Sequence, residues 1–167
     1  MQIEERIYYQ EEQKMDANWI VIFVLISSIT TLAIAIISLY NDHRPWVEIV
    51  LVVGAILLSD VLVVLLVKTM RLELAISKKG LHYKMTIMAG KTRFINWAEV
   101  EGLHIRKSPA TGYGKHYKFR YGEVYSLNRK KGVEISLKSG KKKYFSLKDA
   151  DEFIRTIKNL DLKLPIT

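Results

Sequence analysis

Apolar positions run unbroken twice near the start of this chain, and beyond residue 70 they begin to alternate. The two runs are Trp19 to Tyr40 and Val47 to Val67, with Asn41-Asp42-His43-Arg44-Pro45-Trp46 between them. Each is about 21 or 22 residues long. As helix that is about 32 Å, close to the ~30 Å apolar core of a bilayer. A long helix of a soluble bundle carries a polar stripe. Ile20-Val21-Ile22-Phe23-Val24-Leu25-Ile26 and Val61-Leu62-Val63-Val64-Leu65-Leu66-Val67 are apolar all round. A cleavable signal has a shorter apolar core, about 7–15 residues, behind a basic start. Here the start holds Glu4, Glu5, Glu11, Glu12 and Asp16. The pattern predicts a cytoplasmic segment over 1–18, spanning helices over 19–40 and 47–67, an external loop over 41–46 and a separate domain over 69–167.

From Arg71 onward the period is two, the mark of a half-buried strand. Leu72, Leu74 and Ile76 alternate with Arg71, Glu73 and Ala75, and Ser77-Lys78-Lys79-Gly80 reads as a turn. Leu81, Tyr83, Met85 and Ile87 follow, with a break at Ala89-Gly90. Lys91 to Trp97, Val100 to Arg106, His116 to Tyr121, Val133 to Leu137 and Lys142 to Phe145 complete seven predicted strands. Residues 122–131 are ambiguous by pattern. Tyr117, Phe119 and Tyr121 share one face, and an aromatic stripe at strand spacing predicts core. The chain then turns helical: Ala150, Phe153, Ile154, Ile157 and Leu160 form one apolar face. Ser146 and Asp149 suit its N-terminal cap.

Charge gives the hairpin a direction. Residues 1–67 carry a net −5 and residues 68–167 a net +14, giving the chain its +9. Lys68, Arg71, Lys78 and Lys79 follow the second run closely, while the connecting loop has only Arg44. Loops rich in Lys and Arg stay in the cytoplasm. The expected arrangement is a two-pass protein of the cell membrane with both termini cytoplasmic. Trp19, Tyr40 and Trp46 stand where interfacial aromatics belong. The acidic stretch Ile3 to Lys14 is expected to dock on the basic domain as an added strand or short helix.

Within the hairpin, Asp60 is the one ionisable residue deep in a span. It costs about 2.5–3.5 kcal/mol there, which the surrounding Leu, Val and Ile offset. Antiparallel registry sets it level with Ile26 to Ser28. It reads either as an ion-coupled site or, in the favoured reading, as a carboxyl bonded to Ser27 or Ser28 or used between protomers. Ser28, Thr31, Ala35 and Ser38 form a stripe of small residues suited to close helix approach.

The chain has no cysteine, so disulfides and thiolate metal sites are excluded. His43, His82, His104 and His116 show no ligand spacing, and no glycine-rich phosphate loop or nucleophile with a base partner is present. No cofactor is expected. Arg129-Lys130-Lys131 and Lys141-Lys142-Lys143 raise a nucleic-acid reading, which lacks a matching motif and is not favoured.

Three stretches carry a family resemblance: Ile76-Ser77-Lys78-Lys79-Gly80-Leu81, Ile95-Asn96-Trp97-Ala98-Glu99-Val100, and Gly132-Val133-Glu134-Ile135-Ser136-Leu137 with the Ser139-Gly140 turn and the closing helix. The chain resembles the bacterial and archaeal pleckstrin-homology-like (PH-like) membrane proteins, in which paired transmembrane helices precede the domain. The resemblance implies a membrane α-helical hairpin plus an α+β domain, a seven-stranded antiparallel barrel or sandwich capped by a C-terminal helix. It also implies a non-enzymatic binding or assembly module. By the same resemblance Lys78, Lys79, Lys84 and Arg93 would meet anionic lipid headgroups. The loop Ser108 to Lys115, with Arg106, Lys107, Tyr113 and Lys115, is the expected partner loop. The expected function is protein–protein interaction at the cytoplasmic face, through a protein partner or its own copies. The alternatives are an anionic-lipid sensor and, behind it, an accessory transporter subunit using Asp60.

Overall fold

Ile7–Lys14 alternates inward and outward side chains, with Tyr9, Glu11 and Gln13 buried. That period of two makes it a strand, β1, although two of its three inward residues are polar. The chain then runs through α1 (Asn18–Asn41) and α2 (Trp46–Thr69) before returning as β2 (Arg71–Ser77). β1 and β2 pair antiparallel, with Lys14 opposite Arg71 and Glu12 opposite Glu73. The helical hairpin is therefore inserted between two hydrogen-bonded strands of one sheet. The computed structural model describes residues 5–15, 18–41, 45–86, 90–108, 112–128, 130–160, 162 and 164–165. His43, Ile87, Ala89, Pro109-Ala110-Thr111 and Arg129 lie outside the described residues.

The chain divides into two compact units, Asp16–Lys68 and Met1–Met15 with Thr69–Thr167. In the first, apolar side chains are exposed all along both helices, among them Phe23, Ile29, Ile34, Leu51, Leu58 and Leu62. Soluble monomers rarely present apolar patches beyond a few hundred Å². Both helices are long and apolar enough to cross a membrane, and almost none of their length is buried within the protein. They mark a membrane-associated protein. Thr30, Thr31 and Ser59 donate back to the carbonyls of Ile26, Ser27 and Ile56 at 2.9, 2.9 and 2.7 Å. Those hydroxyls are thus satisfied within their own helices, as an apolar surrounding demands. Of the predicted small-residue stripe, Ser28 is buried, Ala35 half-buried, and Thr31 and Ser38 exposed.

The second unit is a two-sheet sandwich. Its further elements are β3 (Gly80–Thr86), β4 (Arg93–Asn96), a short 3₁₀ helix (Trp97–Glu99), β5 (Val100–Lys107), β6 (Gly114–Lys118), β7 (Gly122–Ser126), β8 (Lys131–Leu137), β9 (Lys142–Ser146) and α3 (Ala150–Asn159). One sheet has the order β1-β2-β3-β4, the other β5-β8-β9-β7-β6. Among the described residues only the β7–β9 pairing is parallel. This corrects the seven-stranded barrel: among the described residues there are nine strands in two sheets, and neither sheet closes. Two strands account for the difference. β1 arrives from before the hairpin, and the predicted strand His116 to Tyr121 ends at Lys118 and reverses into β7.

Leu72, Leu74, Ile76, Leu81, Tyr83, Leu103, Val133, Ile135, Phe145, Phe153 and Ile157 fill the space between the sheets and α3. Trp97 closes one end, its indole donating to the Ser77 carbonyl at 3.0 Å. Asp149 caps α3 by accepting from the amides of Asp151 and Glu152. Phe153 of that helix meets Tyr9 edge-on at 5.7 Å. The buried polar side of β1 is satisfied rather than stranded, as burial of polar groups requires. Gln13 donates to the Ser146 carbonyl at 2.6 Å and accepts from Ser146 and Asn128 at 2.9 and 2.7 Å. Glu11 accepts from the Tyr9 hydroxyl and from the Lys148 amide. Burial, then the bond to Glu11, pushes the Tyr9 pKa well above the ordinary phenol value.

Candidate functional site

Sequence spacing predicts that Tyr117, Phe119 and Tyr121 lie in the core. The structure corrects this: Phe119 is 99% exposed and Tyr117 72%. The reason is local. β6 and β7 are joined by a tight turn in which the Tyr121 amide donates to the Lys118 carbonyl at 3.0 Å. Gly122 closes it with φ of 68°, the left-handed residue that ends a three-residue hairpin loop. Tyr121 folds inward against Tyr144, ring centroids 5.8 Å apart, while Phe119 stands at the tip. A Cβ on Gly122 would lie 2.0 Å from the Lys142 carbonyl oxygen. The β6–β7 turn is thereby pressed against the start of β9.

The β8–β9 turn lies beside it and is basic. Tyr117, Phe119, Arg120, Gly122 and Glu123 face Gly140 and Lys141-Lys142-Lys143 across an open cleft of about 880 Å³. Glu123 is held by Lys115 at 3.4 Å and Lys143 at 3.3 Å. Burial works to raise its pKa, but the charge and hydrogen bonds of Lys143, the Tyr125 hydroxyl and Lys115 outweigh it and leave it below the ordinary carboxylate value. Lys143 also donates to the Tyr83 hydroxyl at 2.8 Å. Tyr125 stacks on Phe145, and Tyr83 meets both rings edge-on.

The outer face of the second sheet carries a cross-strand row of His104, Glu134, Tyr144, Val124 and His116. The Glu134 side chain is fully buried there, 3.3 Å from Arg106 and 3.2 Å from Lys142. Both contacts are ionic, with no well-aligned hydrogen bond to either oxygen. Burial pushes the Tyr144 phenol up to about 12. His116 is held below the ordinary histidine value by burial and by the Lys118 charge. Both acids at this end of the domain are thus matched by two cations apiece. Arg120, Lys138 and Lys141 form no ion pair among the described residues, and all three are exposed. A cationic and aromatic surface of this kind attracts anions and apolar groups. It holds no nucleophile with a base, and among the described residues no cluster of three metal-ligating side chains.

The predicted headgroup residues do not converge. Lys78 and Lys79 form the β2–β3 turn, at the far end of β2 from the hairpin, about 23 Å along the strand from Arg71. Lys79 is paired with Glu5 at 2.7 Å, a bond that lowers the Glu5 pKa. Lys84 lies 3.9 Å from Glu73. Arg93 is the register partner of Tyr83, so it projects to the opposite face of the sheet from Lys84. There Arg93 donates to the Tyr125 hydroxyl at 3.2 Å. With Tyr83, Met85, Gly90, Lys91 and Lys115 it lines a smaller cavity of about 220 Å³.

Of the predicted partner loop, Lys115 lies on β6 and joins that cavity, Arg106 holds Glu134, and Lys107 ends β5 exposed. Tyr113 is half-buried just before β6. His82, held below the ordinary histidine value by burial, meets Phe94 at 4.7 Å. Asp60 is half-buried in α2 and has no side-chain hydrogen bond or ion pair among the described residues, with Ser27 or Ser28 included.

The exposed turn was missed because its aromatics continue the strand alternation and it lacks Pro, Asn and Asp. The one available signal was Gly122. Comparison with curated proteins and with solved structures gives no match. A family model described as a bacterial PH domain matches residues 7–167. That span begins at β1, runs through the hairpin and ends with the chain, so it takes in the strand-interrupted architecture as a whole. The chain belongs to the bacterial PH domain family.

Proposed function

We propose that this protein is a membrane-anchored, non-enzymatic binding and assembly module that works at the cytoplasmic face through protein–protein interaction. Its family membership supports the non-catalytic binding role. The charge split of −5 against +14 supports the cytoplasmic side. The observation that carries the assembly reading is Asp60. A carboxyl within an apolar span normally pairs with another polar group, and among the described residues of its own chain it has no such bond. A polar group from a second copy or a partner subunit supplies it.

Counting subunits by photobleaching of the fluorescently tagged chain in native membrane vesicles tests this. The reading expects more than one copy per spot, or one copy with a stoichiometric partner on purification. It also expects Asp60→Leu to reduce that assembly by roughly tenfold, the loss of one intramembrane hydrogen bond at the upper end of its range. Single copies with no co-purifying partner contradict it.

A further inference from the structure

We propose that the cleft between the β6–β7 and β8–β9 turns is where this domain takes a protein partner, and that the partner presents an acidic segment bearing an apolar side chain. The proposal rests on the binding-module reading above and names the site and the chemistry it selects. One cross-strand row lacks its cover. Across the inner face of the second sheet run Leu103, Ile135, Lys143, Glu123 and Tyr117, each the register partner of the next. The first two are buried in the core, Lys143 and Glu123 are half-buried, and Tyr117 is exposed. The face that packs the core thus continues past its cover onto β7 and then β6, the outermost strand. Phe119, 99% exposed, lines the same cleft at the tip. Exposed apolar surface rimmed by polar groups marks an interaction site, and aromatic and Arg side chains are the common anchors of protein interfaces. The tip needs little further ordering on binding, because Gly122 is pressed against the Lys142 backbone and Tyr121 against Tyr144.

Charge selects the occupant. Glu123 and Glu134 are each held by two cations, while Arg120, Lys138 and Lys141 are exposed and form no ion pair among the described residues. The chain's own acidic stretch is already engaged: Glu5 with Lys79 at 2.7 Å, Glu12 with Arg71 at 3.1 Å, and Glu11 with the Lys148 amide at 3.0 Å. The acids that fit here therefore come from another protein. Three unpaired cations release few counterions from a nucleic acid and hold it weakly at physiological salt. A lipid surface is disfavoured by position. Lys14 and Arg71, which lead to and from the hairpin, are partners at one end of the first sheet, and the β2–β3 turn forms the other. The Trp97 amide donates to the Lys79 carbonyl at 3.0 Å and the Lys138 amide to the Glu99 carbonyl at 2.9 Å. These bonds tie the β8–β9 turn, and with it the cleft, to that second end.

Photo-crosslinking of the full-length chain in its native membranes tests this. With benzoylphenylalanine in place of Phe119, irradiation is expected to join the chain to a different protein, through a peptide that mass spectrometry finds net negative. Arg120→Glu with Lys141→Glu is expected to cut that yield about tenfold. Phe119→Ala is expected to do the same when the photoreactive residue stands at Tyr117. All of these side chains are exposed, and an unchanged unfolding temperature in detergent checks that each variant is folded. Benzoylphenylalanine at Lys130, which shares a cleft with Lys14, is expected not to capture the same peptide. Adducts with lipid, with nucleic acid, with a second copy of this chain or with a neutral or basic peptide overturn the proposal. So does a yield indifferent to charge reversal, or no protein adduct above that at Lys130. An empty cleft on a chain that still co-purifies with a partner refutes this site alone, whereas single copies with no partner refute the binding-module reading as well.

Discussion

Gly122 decides where the aromatic tip of the domain points. Its φ of 68° is a left-handed value, and a side chain there would press into the Lys142 carbonyl. Gly140, in the neighbouring turn, has φ of 78° but open space where a Cβ would lie. The pair separates backbone strain from collision. Gly140→Ala should lose about 1 kcal/mol and Gly122→Ala about 3 kcal/mol, read as thermal unfolding of the full-length chain in detergent. Equal losses would mean that the two turns are not pressed together. At this scale the sequence was partly misleading. Tyr117 and Tyr121 kept the strand period across a reversal, and Phe119 looked like core because hydrophobic spacing cannot distinguish a strand from a strand that turns. The buried Glu134 was equally hidden, since its cations come from β5 and β9, distant in the chain.

β1 shows the same limit among whole elements. Its inward residues are Tyr9, Glu11 and Gln13, so a search for apolar alternation passes over it. What makes it a strand is satisfaction of those polar groups by Ser146, Asn128 and Lys148, all more than a hundred residues away. Opposite charge did suggest that the acidic N-terminal stretch docks on the basic domain. The Glu12–Arg71 and Glu5–Lys79 pairs, at 3.1 and 2.7 Å, are consistent with that origin, although exposed ion pairs contribute little to stability. β2, β3, β5, β8 and α3 were legible because their apolar periods are regular. The parallel β7–β9 pairing was not, because strand order depends on contacts far apart in sequence. A direct check of β1 is oxidative cross-linking. Glu12→Cys with Glu73→Cys, Cα partners across the two strands, should close a disulfide in the full-length protein within membranes. Gln10→Cys with Arg71→Cys, out of register, should not. Equal yields from both pairs would contradict the pairing.

For the whole molecule, the consequence is that anchor and domain cannot be separated into consecutive modules. The hairpin leaves the sheet after Lys14 and returns two residues before Arg71, and those two residues are register partners. Both ends of the helical hairpin therefore return to one sheet, as the proposed two crossings with a cytoplasmic domain require. A fragment beginning at residue 69, the boundary that the apolar runs alone imply, lacks β1 and exposes the edge of β2. The two long apolar helices themselves were fully legible, since length and uniform apolarity are local properties. The dependence of the domain on residues preceding them was not. Sidedness tests this account most directly. Single cysteines at Gln10, Asn41 and Ser139 of the cysteine-free chain can be probed with an impermeant maleimide in right-side-out and inverted membrane vesicles. The account predicts that positions 10 and 139 react together in inverted vesicles, and that position 41 reacts in right-side-out ones. Reaction of 10 and 139 from opposite sides, or of 41 from the same side as both, would contradict it.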